Sequence, residues 1–226
     1  MEKNGYYFDC IASQISIEPS PRQAAGNLHR KDESLFSVRS LTPPQAARNA
    51  LAFAVQTVMC AFSPDAMAYA RNSFPPGTPV LAGALGLVRR LFTDFTYDQS
   101  ATTVDTAVDQ VLVDRKGVCQ DFAHVAISCL RSLGLPARYV SGYLETSPPP
   151  GKPRLVGADA SHAWISLFVP DAGWVDLDPT NNLIAGESHV TVAWGRDYGD
   201  VTPVKGVVMG GGVHSLSVTV DVAAQS

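Results

Sequence analysis

Residues 117–136 read GVCQDFAHVAISCLRSLGLP, and this stretch decides the fold. Val118, Phe122, Val125, Ala126, Cys129, Leu130 and Leu133 recur at helical spacing, so the segment is predicted to be a helix buried on a broad face. It stops at Gly134-Leu135-Pro136, a glycine that ends the helix followed by a proline that cannot continue it. Cys119 falls in the first turn. There the unpaired N–H groups and the positive end of the helix dipole stabilise a thiolate. The same N–H groups can stabilise an oxyanion on an attacked carbonyl. Alone the placement is weak, because free cysteines are most often small buried hydrophobes. Cys60 and Cys129, set among apolar residues, read that way.

Upstream the text is helical. Thr42-Pro43 opens an Ala-rich segment predicted to run as a helix to about Met59. Ser63-Pro64 repeats the signal before a short helix over 65–71. Thr78-Pro79 gives it again before Leu81, Leu85, Val88, Leu91 and Phe92 at helical spacing. Thr106 and Asp109 form a capping-box pattern for a helix bearing Val108, Val111 and Leu112. Gly117 reads as its C′ or loop glycine. Before Thr42, residues 14–18 and 35–39 could each be a short strand around a loop rich in proline, glycine and charge.

Downstream the text turns to strands. Ala137–Leu144 is strand-like, 145–159 is a long Pro-rich loop, and Ser161–Val169 and 174–177 are strands. A four-residue loop, Pro170-Asp171-Ala172-Gly173, joins the last two. Beyond Asn182 a loop is predicted, then a Val-alternating strand near 216–222. Helices first and strands later argue for α+β.

A thiolate nucleophile needs a base, and the base an orienter. His162 opens the strand after the long loop, with Trp164 two positions on along the same face to shield it. Across the hairpin lie Asp176 and Asp178. Pairing Val169 with Trp174 sets Asp178 opposite Ile165 and Asp176 opposite Leu167. That leaves Asp178 nearer His162 but still about 10 Å short along the strand. A bulge, a strong twist or a different turn must close the gap. An Asp-Pro turn start explains Asp178 equally well on its own. His124 lies about 140° around the helix from Cys119 and is a poor partner for the thiol. Asp121 and Gln120 can support the helix start. A second oxyanion donor is expected from upstream, with Tyr97 as a candidate. A metal site of Cys119, His124 and His162 lacks zinc spacing.

Taken together the blocks resemble bacterial transglutaminase-like proteins. Gly117-Val118-Cys119-Gln120-Asp121-Phe122-Ala123-His124 is similar to the family's nucleophile block. Gly134-Leu135-Pro136-Ala137-Arg138-Tyr139-Val140-Ser141-Gly142-Tyr143, Asp159-Ala160-Ser161-His162-Ala163-Trp164 and Trp174 through Asp178-Pro179-Thr180-Asn181 follow in order. Gly195-Arg196-Asp197-Tyr198 with Asp200-Val201 matches a further block. The resemblance runs from about Thr42 to the C-terminus. It implies a papain-like α+β core, a helical part followed by an antiparallel sheet, and a triad of Cys119, His162 and Asp178 that forms a thioester from an amide. Residues 43–226 would be the catalytic domain. Residues 1–42 would be an N-terminal segment, too short for the β-sandwich such relatives usually carry and read as a truncated β remnant.

Composition bounds the rest. The chain has 226 residues, 46% hydrophobic and 17% charged, enough for a core that needs neither disulfides nor metal. Its formal net charge of −4 argues against nucleic acid. No apolar run approaches a membrane span, and no signal sequence opens the chain, so the expectation is a cytoplasmic protein with no membrane partner. Neither a phosphate-binding loop nor a dinucleotide fingerprint occurs, and no cofactor is implied. The expected activity is acyl transfer on a peptide or amide substrate. Hydrolysis is favoured over transamidation, because Lys152 and Arg154 in the loop beside His162 would repel a lysine amine. The other readings are a protein-glutamine transamidase and a silent binding module that keeps the cleft. Oligomeric state stays open.

Overall fold

The structure is a computed structural model that describes residues 6–10, 13–17, 49–146, 148, 151–158, 160–170, 172–203 and 220–224. It is α+β, with four α-helices packed against a five-stranded antiparallel sheet among the described residues.

Helix α1 (Pro64–Arg71) starts where Ser63 Oγ accepts the N–H groups of Asp65 at 3.2 Å and Ala66 at 3.3 Å. Helix α2 (Val80–Asp94) buries Val80, Ala84, Leu87, Val88 and Leu91, a stripe at 3.6-residue spacing. Helix α3 (Val108–Asp114) is two turns long, and α4 (Cys119–Ser132) is the central helix. Every residue of α4 from Asp121 to Arg131 is buried, because α1, α2 and α3 cover one side of it and the sheet the other. Gly134 at φ 77° turns the chain out of α4, and Pro136 follows.

Strands β1 (Tyr6–Cys10) and β2 (Ser13–Ile17) form a small sheet with the strand at Val222–Ala224. Two-residue strands β3 (Thr96–Tyr97) and β4 (Lys116–Gly117) pair in parallel just ahead of α4. The main sheet holds β5 (Ala137–Leu144), β6 (Ser161–Val169), β7 (Gly173–Asp178), β8 (Leu183–Ile184) and β9 (His189–Gly195), in the order β8-β7-β6-β5-β9. Ala163, Ile165, Leu167 and Val169 of β6 join the core that α4 shares. Among the described residues no helix is long and apolar enough to cross a membrane.

Four expectations are corrected. The helix predicted to run to Met59 ends early. A 3-10 turn at Leu51–Phe53 gives way to irregular chain, because the buried Arg131 guanidinium takes the carbonyls of Phe53 (2.9 Å) and Val55 (3.1 Å), acceptors that a continuing helix would use itself. Thr106 does not cap α3: its hydroxyl accepts the Thr103 N–H at 2.9 Å, and the cap position is Ala107. The left-handed residue after α3 is Arg115 at φ 55°, and Gly117 lies in β4. The region beyond Asn182 is not simply loop, since β9 pairs with β5 there. The strand expected at 216–222 and the one at 35–39 lie largely or wholly outside the described residues.

The hairpin register also shifts. Gly173, at φ 77°, opens β7 opposite Val169, so the turn is one residue shorter than expected. Asp176 then stands opposite Ser166, and Asp178 lies just past the Ile165–Leu177 pair, level with Trp164. Two residues of strand are left between Asp178 and His162 in place of three.

Candidate active site

Helix α4 supplies Cys119 at its first position, half-buried where the chain leaves β4. The approach is shaped by Asp121, whose Oδ2 accepts the Val118 N–H at 2.8 Å and the Thr102 hydroxyl at 2.6 Å. Burial raises the Asp121 carboxyl pKa above its ordinary value, partly offset by these two donors. A side chain at position 117 would collide with Asp121, so β4 must end on glycine for the helix to begin here. His124, one turn on and off the face, has a different task. Its Nε2 accepts the Tyr198 N–H at 3.2 Å, which ties α4 to the chain after β9. Burial holds its pKa down to about 4, so the ring is a neutral acceptor.

Strand β6 supplies His162, which is buried. Its Nε2 donates to Asp178 Oδ2 at 2.8 Å, and it is Asp178, not Asp176, that makes this bond. Asp176 Oδ2 instead accepts the Trp164 indole N–H at 3.3 Å. Burial alone would lower the His162 pKa. The Asp178 carboxylate outweighs it through charge and hydrogen bond, the Cys119 sulfur adds to it, and the imidazole is pushed up to about 10. With Nε2 committed to Asp178, the ring's contact with the thiol falls to Nδ1, which has no other hydrogen-bond partner among the described residues. Burial likewise opposes ionisation of Asp178, yet the His162 and His189 rings hold its carboxyl well below the usual carboxylate range.

Asp178 is unusually well held. Oδ1 accepts the N–H groups of Thr180 (2.9 Å) and Asn181 (3.2 Å). Oδ2 accepts His162, the Asn181 carboxamide at 2.8 Å and His189 Nε2 at 3.1 Å. The Asp-Pro-Thr-Asn turn therefore does two jobs at once: it ends β7 and wraps its own first carboxylate. Asn181 also reaches the long loop, accepting the Val156 N–H at 2.9 Å and donating to the Val156 carbonyl at 3.2 Å. That latch lays Gly157 against the imidazole. Gly157 sits at φ 91°, and a Cβ there would lie 2.6 Å from His162 Nδ1.

His189, the first residue of β9, is not among the site residues the sequence singles out, because the region beyond Asn182 reads as loop. The signal was present in His-Val-Thr-Val, an alternating start directly after the Gly186-Glu187-Ser188 turn. Trp164 links the two histidines, stacked 6.0 Å from His162 and edge-on 5.1 Å from His189. Its indole passes over Gly142 of β5, where any side chain would strike both Trp164 and the Val190 carbonyl. His162, Asp178 and His189 bring possible ligand atoms within 4.8 Å of one another. Both imidazoles, however, address the same carboxylate oxygen, an arrangement that hydrogen bonds account for.

Cys119 and His162 share the walls of one cleft of about 240 Å³ with Tyr97, Gln99, Ser141 and Tyr198. Among the described residues no lysine, arginine or carboxylate lines it. A thiol at a helix start, a histidine beside it and a buried carboxylate behind define the cysteine-nucleophile layout of the papain-like fold class. Within that class the chain is a transglutaminase-like protein: the signature of the Transglutaminase-like superfamily matches residues 68–179, from α1 to the end of β7. It is 48% identical over 159 residues to an uncharacterized protein of Mycobacterium tuberculosis H37Rv, covering 68% of this chain and 51% of that one. It is 36% identical over 87 residues to a protein-glutamine gamma-glutamyltransferase of Pseudomonas aeruginosa, covering 38% of this chain and 13% of that protein. Its fold is similar to a solved candidate cysteine protease of Cytophaga hutchinsonii, with TM-score 0.64, 26% identity, and 79% of this chain and 56% of that one covered. The chain spans about half the length of the mycobacterial relatives it matches.

Proposed function

We propose that this protein is a cysteine-dependent acyl-transfer enzyme that cleaves amide or peptide bonds through Cys119, His162 and Asp178, with water as the final acceptor. One observation carries the reading: His162 is buried between Asp178, 2.8 Å from Nε2, and the cleft it shares with Cys119.

The chemistry follows from that placement. The Cys119 thiolate attacks the carbonyl carbon, forming the C–S bond and moving the carbonyl electron pair onto oxygen. As the tetrahedral species collapses, the C–N bond breaks and the imidazolium gives its Nδ1 proton to the leaving amine. An imidazole pushed up to about 10 is charged at neutral pH and ready for that donation. The thioester then meets water. His162 takes a water proton at Nδ1, the new C–O bond forms and the C–S bond breaks. Asp178 orients the ring and stabilises its charged form without itself taking the proton. Apart from Cys119 and His162, the described walls of the cleft are aromatic, apolar or neutral polar, which suits an uncharged amide at the point of attack.

Hydrolysis draws support from the similarity to the Cytophaga hutchinsonii candidate protease and from Lys152 and Arg154 in the loop latched beside His162. Transamidation is the second reading, favoured by the similarity to the Pseudomonas aeruginosa glutamyltransferase. The test is a partition experiment: react a glutamine peptide with the enzyme at increasing concentrations of a lysine-like amine. Free acid as the main product at millimolar amine supports hydrolysis. Dominant amide product would replace it with transamidation. The absence of any covalent intermediate on Cys119 would sink both.

A further inference from the structure

Gly195-Arg196-Asp197-Tyr198 and Asp200-Val201 take no part in the triad, yet their polar groups bond closely to one another. The Arg196 guanidinium donates twice to the Asp200 carboxylate, from Nε to Oδ2 at 2.8 Å and from Nη2 to Oδ1 at 2.9 Å, and its backbone N–H adds a bond to Oδ2 at 2.9 Å. Asp197 Oδ1 accepts the Gly199 N–H at 2.8 Å and so caps the 3-10 turn Tyr198–Asp200. The strand before it ends on Gly195, where a Cβ would lie 2.5 Å from the Asp200 Cβ. An exposed ion pair adds little stability, so what this turn secures is a position.

That position belongs to Tyr198. Its N–H donates at 3.2 Å to the neutral ring of His124, on the helix that carries Cys119. Its carbonyl accepts the Val201 N–H at 3.0 Å and the Thr202 hydroxyl at 3.1 Å. Its ring stands edge-on to Tyr139 with centroids 6.1 Å apart, and Tyr139 packs in turn on His124 at 5.1 Å. Backbone and ring are thus fixed relative to Cys119. The hydroxyl alone is unspent. It has no hydrogen-bond partner among the described residues, and half-buried Tyr198 lines the cleft together with Cys119.

Topology decides which part of a substrate this phenol meets. In the acyl-transfer reading the leaving amine takes its proton from His162 on β6. In the order β8-β7-β6-β5-β9 the last strand lies beyond β5, so the residue that follows it stands across β5 from the base, on the acyl side of the attacked carbonyl. Buried Tyr139 and Pro203 line the cleft with it, and among the described residues no charged side chain other than the proposed reacting groups does. We propose that Tyr198 sets specificity for the acyl part of the substrate. Its hydroxyl donates to the carbonyl oxygen of a second, uncharged amide, so the enzyme takes peptides and N-acylated amino acids in preference to plain alkyl acyl groups. A donor held in this way rewards a group that accepts its hydrogen bond and penalises an isostere that cannot.

The proposal rests on the acyl-transfer reading, and a matched pair of esters separates the two claims. The p-nitrophenyl esters of N-acetylglycine and of pentanoic acid deliver acyl chains of equal length to Cys119, and only the first carries an amide. Tyr198→Phe keeps the ring and its packing on Tyr139. It should slow acylation by the N-acetylglycine ester by about 10-fold. Acylation by the pentanoate ester and alkylation by iodoacetamide should stay close to the rates of the parent protein. Arg196→Ala, outside the cleft, loosens the turn and should give a smaller loss with the same selectivity. Equal losses on both esters would show that Tyr198 only shapes the cleft and would overturn the proposal. So would no loss on either. A parent protein that iodoacetamide alkylates but neither ester acylates would overturn the acyl-transfer reading, and the specificity with it.

Discussion

The two sides of the cleft are built on opposite terms. On the helix side Cys119, the proposed nucleophile, stands at one helix end, half-exposed, and the hydrogen bonds around it belong to its neighbours Val118 and Asp121. On the sheet side Asp178 alone accepts from His162, His189, Thr180 and twice from Asn181, while Trp164 backs both histidines. The difference fits the roles proposed for the two groups. A nucleophile has to reach the substrate and change its bonding, so holding it tightly would work against it. A base must present one nitrogen at one angle, and buried charges that lack partners are costly. Substitutions on the helix side should therefore remove chemistry with little effect on folding, and those on the sheet side should cost both.

Cys119→Ala tests the first half of that contrast. It should abolish acyl-enzyme formation, read by intact-mass spectrometry, with a melting temperature near that of the parent. A large drop in melting temperature would erase the distinction. Asp178→Asn tests the second half. The amide cannot stabilise the imidazolium, and acylation should slow by roughly 10⁴-fold, with clear destabilisation in thermal melts because the amide offers one acceptor oxygen where Asp178 uses two, and its NH2 must face donors on one side.

His189→Leu sharpens the comparison, since it removes one donor to Asp178 and leaves the other. A hydrogen bond to a charged group is worth about 2 kcal/mol, and denaturant unfolding should register a loss of that order, with acylation less affected than in Asp178→Asn. Were acylation to fall as far as in Asp178→Asn, His189 would belong with the reacting groups rather than behind them.

pH gives the next effect. His162 is raised from 6.5 to about 10, so its contribution to stability is complete below pH 6.5 and is lost as pH climbs through 10. Asp178 is lowered from 3.8, so its contribution is complete above that pH and is lost on acidification below it. The melting-temperature gap between the parent and Asp178→Asn should be widest between pH 3.8 and 6.5 and should close toward pH 10. A gap that stays constant to pH 10 would mean the pair is not ionic. The smallest effect is expected at Asp176. Its amide oxygen would still accept from Trp164, so Asp176→Asn should change acylation by no more than about twofold, within the range of substitutions that preserve their bond.

Much of this architecture was legible because its signals are local. The spacing of Phe122, Val125, Ala126 and Cys129 and the Gly134-Leu135-Pro136 stop mark α4, and stretches rich in β-branched and aromatic residues mark β5 and β6. What escaped depended on partners distant in the chain. The helix before Cys60 is cut short by Arg131, more than seventy residues away, and local propensity carries no trace of that guanidinium. The hairpin register turned on whether Gly173 belongs to the turn or the strand, a choice settled by its positive φ opposite Val169. His189 joins the site only because β9 returns to the far side of β5, a topology that no single stretch of sequence announces.

Gly142 makes that topology possible: it opens the gap through which Trp164 meets a histidine from the next strand but one. A saturation library scored for turnover should therefore contain a position with almost no tolerance for replacement and no functional group of its own. Drift at 142 would be reachable only through simultaneous change at Trp164 and in the backbone at Val190, so the residue that contributes fewest atoms to this site would be among the slowest to vary.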